Sequence, residues 1–260
     1  MRSAVRPRIG VTSRFRQAIR SHSIHEGYVE QVTRAGGLPL VIPCTDAGGD
    51  LCASYLSVLD GLLLTGGEDM DPAHCRGTSR QPGYTYHPRR DVFETRLAGS
   101  ALAAGMPTLG ICRGAQVLHT VTGNPLIGHI PDVNGGHVAH RTSLTETSRH
   151  SVTLAEGSKV ARAYAEADGG IRHEAGGART LKVTSYHHQG LGEQTPGGIR
   201  WRVTARADDS LAEAIEREGD AWAVGVLWHP ELPADDGPAD GSGEYTDPLI
   251  AAFVAAAGAS

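Results

Sequence analysis

The chain has 260 residues, a formal net charge of −5, and 40% hydrophobic and 20% charged residues. That is the make-up of an ordinary globular protein, long enough to bury one large core, and one domain spanning 1–260 is the favoured count. A pI near 6.2 argues against nucleic acid or an anionic membrane surface as the main partner. Cys44, Cys52, Cys75 and Cys112 form no C-x-x-C pair and no zinc-like grouping with histidine. The stretch from Met1 to Arg8 has no apolar run that could serve as a signal, and no uncharged stretch is long enough to span a bilayer. A cytoplasmic protein with free thiols is expected. A homodimer is compatible with the sequence, which does not fix the oligomeric state.

In chain order, Ile9–Thr12 reads as a first strand. Tyr28–Ala35 reads as a helix stopped by Gly36-Gly37, and Leu38–Pro43 as a second strand. Leu51–Leu59 is a second amphipathic helix and Gly61–Thr65 a third strand. Continuous apolar strands alternating with helices predict a parallel sheet covered on both faces. The third strand runs into Gly66-Gly67-Glu68-Asp69-Met70-Asp71-Pro72, followed by a looped section to Arg90 and a helix from about Asp91 to Ala104. Pro107–Ile111 is a fourth parallel strand. Ligands of open α/β sheets sit at the carboxyl ends of strands, so Gly66-Gly67 and Cys112 are expected at one edge.

The second half is different. His150–Leu154, Leu181–Ser185, Trp201–Ala205 and Leu211–Ile215 are short, partly alternating runs that predict antiparallel strands. Asp168–Gly177 is glycine-rich and expected to be a mobile loop. A last strand, Ala221–Leu227, ends in Trp228-His229-Pro230-Glu231, and a helix from about Pro248 to Ala257 follows.

The chemistry is concentrated at Cys112. Gly110 and Gly114 flank it at two residues on either side, the spacing of a nucleophile elbow between a strand and a helix. Backbone N–H groups at the start of that helix favour a thiolate and can bind an oxyanion. A free thiol titrates near about 8.5, so a nucleophilic cysteine needs a base and a group to orient it. His229 follows an apolar strand, and Glu231, two residues on, points to the same side of an extended segment. Taken separately, Cys112 reads equally as a buried apolar residue and His229 as an exposed turn. His129, His137, His140, His150 and His173 are scattered without a metal-ligand spacing, so no metal is expected. Asp91 and Glu94, at a helix start, are expected to serve the helix dipole rather than catalysis.

Five motifs, in order, resemble the class I glutamine amidotransferase-like cysteine hydrolases of the gamma-glutamyl-gamma-aminobutyrate hydrolase branch (peptidase C26-like). They are the Gly66-Gly67-Glu68-Asp69-Met70-Asp71-Pro72 turn, Arg90-Asp91 with Glu94, the Gly110-Ile111-Cys112-Arg113-Gly114-Ala115-Gln116 elbow, Ser185-Tyr186-His187-His188-Gln189 and Trp228-His229-Pro230-Glu231. The resemblance implies a flavodoxin-like, doubly wound, mostly parallel α/β sheet with a small antiparallel extension. It implies Cys112 as nucleophile, His229 as base and then acid, Glu231 as its orienting partner, and the N–H groups of Gly67 and Arg113 as the oxyanion hole. Gly66, Gln116, Tyr186, His187, His188 and Gln189 would bind a small-molecule gamma-glutamyl amine, cleaved to glutamate and free amine through a thioester without a cofactor.

The chain departs from the branch at Leu227, where glutamine is usual, and along Leu118–Ile130 after the elbow. These departures leave the triad positions intact and are expected on the leaving-group side, so the amine is not specified. Two other functions stay open: a glutaminase subunit delivering ammonia to a separate synthase, and a non-catalytic binding protein. The second would require a lost triad member, and none is lost.

Overall fold

The computed structural model describes residues 5–45, 49–143, 146–166, 172–173, 179–232 and 245–259. Its centre is one ten-stranded sheet. The strands, in chain order, are β1 (Arg8–Thr12), β2 (Leu38–Ile42), β3 (Gly61–Leu64), β4 (Thr108–Ile111) and β5 (Ser148–Leu154). They continue as β6 (Arg172–His173), β7 (Arg179–Ser185), β8 (Trp201–Ala207), β9 (Ala212–Arg217) and β10 (Ala223–Val226). In space the order is β2-β1-β3-β4-β10-β9-β8-β5-β7-β6. The first five run parallel. From β10 onward every pairing is antiparallel. The antiparallel extension is therefore continuous with the parallel sheet, joined edge to edge at β10.

The two faces are covered by different helices. Leu63, Leu109 and Ile111 point to one side, where they meet α1 (Glu26–Arg34) and α6 (Pro248–Gly258) through Tyr28, Val32, Ile250 and Phe253. Leu62 and Leu64 point to the other, against α2 (Gly49–Leu56), α3 (Pro88–Ala103) and α4 (Arg113–Val121) through Cys52, Phe93, Leu97 and Val117. A strand buried on both faces needs an unbroken apolar run, which is why Gly61–Leu64 carries no polar side chain. The antiparallel strands instead alternate, and β5 buries every second residue. On the first face, α5 (Lys159–Glu166) covers this half through Val160, Ala161 and Tyr164.

Chain signals set the helix ends. Gly36 takes φ 87° after α1, a conformation that glycine adopts without steric cost. Pro88 opens α3 at its first turn, three residues ahead of the expected start at Asp91. Asp247 caps α6, accepting from Leu249 N at 2.8 Å and Ile250 N at 3.3 Å. Apart from Arg172–His173 in β6, the Asp168–Gly177 stretch lies outside the described residues. Among the described residues, no helix is long and apolar enough to cross a membrane.

Candidate active site

Cys112 is the residue between β4 and α4, and its backbone takes φ 52°, ψ −109°. A positive φ is strained for any residue with a Cβ, and here it turns the chain from strand to helix in one step. The two flanking glycines are required by close approach. A Cβ on Gly110 would come within 2.6 Å of the Gly114 backbone, and one on Gly114 within 2.1 Å of Leu64 O. The elbow is thus packed directly onto β3, which brings the turn after β3 beside the cysteine. The Cys112 side chain is nearly buried, and its carbonyl accepts from Ala115 N and Gln116 N as the first helical turn begins.

His229 follows β10, the strand next to β4, and its N–H donates to Thr184 O at 2.9 Å. Its Nδ1 lies 2.7 Å from Glu231 Oε1, with Glu231 buried. The other ring nitrogen, Nε2, is buried with no hydrogen-bond partner among the described residues. A methyl group at Gly66 would touch His229 Cε1 at 3.0 Å, Tyr28 Oη at 3.0 Å and Cys112 Cβ at 3.5 Å, so the thiol, the ring and the β3 turn meet at one point. Burial opposes the imidazolium here, but the Glu231 carboxylate and a Cys112 thiolate outweigh it and hold His229 well above the ordinary histidine range. Chemically, this is a thiol beside an imidazole whose far nitrogen is fixed by a carboxylate, a set competent for nucleophilic attack and proton transfer.

The β3 turn is held from below by a buried ionic network. Gly66 N donates to Tyr28 Oη at 2.9 Å. Arg90 Nη2 donates to Thr65 O at 3.1 Å and Gly66 O at 3.1 Å, and Arg90 Nε reaches Glu94 Oε1 at 2.9 Å. Arg113 binds Asp91 Oδ1 at 2.5 Å and also pairs with Glu94. The expectation that Asp91 and Glu94 serve the helix dipole is corrected: both are fully buried and neutralise the two arginines that flank the turn and the elbow. Four such charges persist in a dry interior only because each faces an opposite one. The Arg113 side chain points into this network, while its backbone N–H, first in α4, has no partner within the helix.

Two cavities meet at Cys112. One, of about 410 Å³, is lined by Gly66, Gly67, Tyr28, His229, Glu231 and Tyr186 among others. The other, of about 240 Å³, brings Gly67 and Arg113 together with Gln116, Tyr186, His187, His188 and Gln189. Within the second, Gln116 Nε2 donates to Gln189 O at 3.2 Å. Gln189 is almost fully buried, and neither end of its side-chain amide has a partner among the described residues. His188 is committed elsewhere: Nε2 lies 2.7 Å from Asp69 Oδ2, Nδ1 lies 3.0 Å from His129 Nδ1, and the ring stacks on Tyr84. His187 also turns its ring nitrogens away, Nδ1 to Gln189 O at 3.0 Å and Nε2 toward Glu213 at 3.3 Å.

The family model described as Peptidase C26 matches residues 7–231. The chain belongs to the peptidase C26 family. A Mycobacterium tuberculosis protein named provisionally as a glutamine amidotransferase is 35% identical over 241 residues, covering 90% of this chain and 72% of that one. An Escherichia coli gamma-glutamyl-gamma-aminobutyrate hydrolase is 30% identical over 237 residues, covering 86% and 85%. Among solved structures, the glutaminase domain of Trypanosoma brucei CTPS with bound acivicin matches with a TM-score of 0.60 at 14% identity, covering 96% of this chain and 93% of that one. The last likeness bears on the fold, which is that of class I glutamine amidotransferases.

Against the peptidase C26 background, the departures after the elbow acquire a structural reason. His119 Nε2 contacts Gly192 O at 3.1 Å, Thr122 Oγ1 accepts from Trp201 Nε1, and Asn124 Oδ1 accepts from Thr195 N. Burial lowers the His119 pKa to about 4, so it sits there as a neutral ring. These residues bind the 192–201 segment and line neither cavity at Cys112. Farther along the same stretch, His129 does reach the cavity wall, its Nδ1 lying 3.0 Å from His188 Nδ1. The residues there that motif reading passed over include Arg14, Tyr28, Tyr84 and Arg141. Each lies outside the five motifs, and no spacing ties any of them to Cys112.

Proposed function

We propose that this peptidase C26 member hydrolyses the gamma-glutamyl amide bond of a small gamma-glutamyl amine. The observation that carries the reading is the meeting of a strained Cys112 with a His229 whose Nδ1 is bound to Glu231 and whose charged form the Cys112 thiolate favours. The Cys112 thiolate attacks the side-chain carbonyl carbon, and the negative charge moves to the carbonyl oxygen, which takes hydrogen bonds from Gly67 N and Arg113 N. The tetrahedral adduct collapses, the C–N bond breaks, and the His229 imidazolium gives its proton to the departing amine. A glutamyl thioester remains. Water then loses a proton to His229 and adds to the thioester carbon; the C–S bond breaks, releasing glutamate and the thiolate.

Because the proton donor must face the leaving nitrogen, the larger cavity beside His229 is assigned to the amine. The smaller, more polar one is assigned to the glutamyl group, whose amino-acid end would find the Gln189 amide, which has no partner among the described residues. The Escherichia coli relative's name supports the bond type. The test is release of glutamate and amine from a panel of gamma-glutamyl amines, run beside ammonia release from glutamine. Cleavage of at least one conjugate, abolished in Cys112→Ala, is expected. Ammonia from glutamine as the only product, or full activity in Cys112→Ala, would sink the proposal.

A further inference from the structure

Away from the thiol, on the antiparallel half, four side chains distant in sequence converge. His140 lies in the segment before β5, His150 on β5, His187 just after β7 and Glu213 on β9. One ligand atom from each lies within 4.8 Å of all the others. Glu213 Oε1 is 2.8 Å from His140 Nδ1, 3.3 Å from His187 Nε2 and 3.8 Å from His150 Nε2. A tetrahedral ion with ligand bonds of 2.0–2.1 Å has ligand–ligand edges of about 3.3–3.4 Å. The spacing around Glu213 brackets that value.

The outer nitrogens determine what the inner ones can be. His140 Nε2 lies 2.8 Å from Asp209 Oδ2, His150 Nδ1 lies 3.2 Å from Ser151 O, and His187 Nδ1 lies 3.0 Å from Gln189 O. Each of these partners is an acceptor, so each outer nitrogen carries a proton, and the inner nitrogen of a neutral ring is a bare lone pair. Three lone pairs thus face a carboxylate that is itself fully buried. All three inner nitrogens and both Glu213 oxygens lack an aligned hydrogen bond among the described residues. A proton on His140 Nδ1, 2.8 Å from Glu213 Oε1, would settle that one contact only. The ring centres of His150 and His187 lie 4.7 Å and 4.9 Å from that of His140, which disfavours charging neighbouring rings together, and His150 Nε2, 3.8 Å from Glu213, stays without an aligned partner.

We propose that His140, His150, His187 and Glu213 bind one divalent transition-metal ion, Zn2+ by ligand chemistry, as a closed structural site behind the Cys112 cavity. Three imidazoles and one carboxylate, each imidazole anchored by an acceptor on its far nitrogen, match the way such ions are held. The ion would tie the segment carrying Arg141 and the His187–Gln189 turn to β5 and β9. Both line the candidate glutamyl cavity, so the ion would order one wall of it. The site stands independently of the proposed hydrolysis, because none of its four ligands takes part in the chemistry.

The test uses the full chain without a polyhistidine tag. Metal analysis of the purified protein should find about one zinc per chain, and a strong chelator should lower its melting temperature, reversed by Zn2+. Chelator-stripped Cys112→Ala protein, titrated with Co2+, should give visible absorption that saturates at about one equivalent, the thiol being absent as a ligand. Glu213→Gln and His150→Asn should lose that saturation. Absence of saturable Co2+ absorption in stripped Cys112→Ala protein would overturn the proposal even if both ligand variants fail to fold. A signal that survives Glu213→Gln would place the ion elsewhere and overturn it equally.

Discussion

Replacing Glu231 by glutamine tests the electrostatics of the site while keeping its shape. In the native chain Glu231 Oε1 lies 2.7 Å from His229 Nδ1, with Glu231 buried and the His229 ring largely so. Two unit charges at that distance attract by about 6 kcal/mol at an effective dielectric constant of about 20, and the burial of His229 offsets part of it. Glutamine removes the charge and can present its amide N–H to Nδ1, favouring the wrong tautomer; a comparable swap in a serine-protease triad costs about 10⁴-fold. For Glu231→Gln we expect kcat/KM on a gamma-glutamyl amine to fall about 10³-fold, about 4 kcal/mol, through kcat rather than KM. His229 would lose the group that holds its pKa up, so the alkaline limb of the kcat/KM profile should move to lower pH. Melting temperature, measured alongside, separates this from unfolding. A folded variant within about tenfold of the parent, with an unshifted alkaline limb, would refute the assignment of Glu231 as the orienting acid.

Two further outcomes follow from buried charges. Asp247 caps α6 in a fully buried position, where burial, despite hydrogen bonds from Tyr164, Leu249 and Ile250, raises its pKa to about 7. The native state therefore binds a proton that the unfolded chain, with a carboxyl near about 3.9, has already released. Stability is fully present below the unfolded value and falls as pH rises toward about 7, by about 4 kcal/mol at most. Asp247→Asn keeps an acceptor for the cap without the charge, so thermal melts should show it more stable than the parent at pH 8 and not at pH 4. Arg113→Met leaves Asp91 and Glu94 facing each other with only Arg90 near, and urea unfolding should show a loss of about 3–5 kcal/mol.

The parallel half and the elbow were legible in the chain because their signals are local. Gly61–Leu64 is apolar throughout because it is covered on both faces; Gly110 is a glycine because the start of α4 folds back onto it, and Gly114 because α4 touches β3. His229 and Glu231 sit two residues apart, so a single strand end carries their relation. The same local reading misassigned Asp91 and Glu94, since a helix start looks alike whether its acids face solvent or buried arginines. Along Leu118–Ile130, it could not separate His119, Thr122 and Asn124, whose partners lie at Gly192, Trp201 and Thr195, from His129, which meets His188 at the cavity wall.

By itself the sequence determined which cysteine stands at a sharp strand-to-helix turn and which histidine–carboxylate pair ends the last strand, because each is written within a few adjacent residues. Only the tertiary structure decided what lies between distant segments. It set Tyr28 and Arg90 under the Gly66 turn, left both ends of the Gln189 amide without a partner among the described residues, and closed His140, His150, His187 and Glu213 around one point. Those four lie on the antiparallel half, where neighbouring strands are distant in sequence and pairing register alone sets which side chains face one another. No spacing along the chain encodes that register, which is why histidines scattered in the sequence form a cluster in the fold.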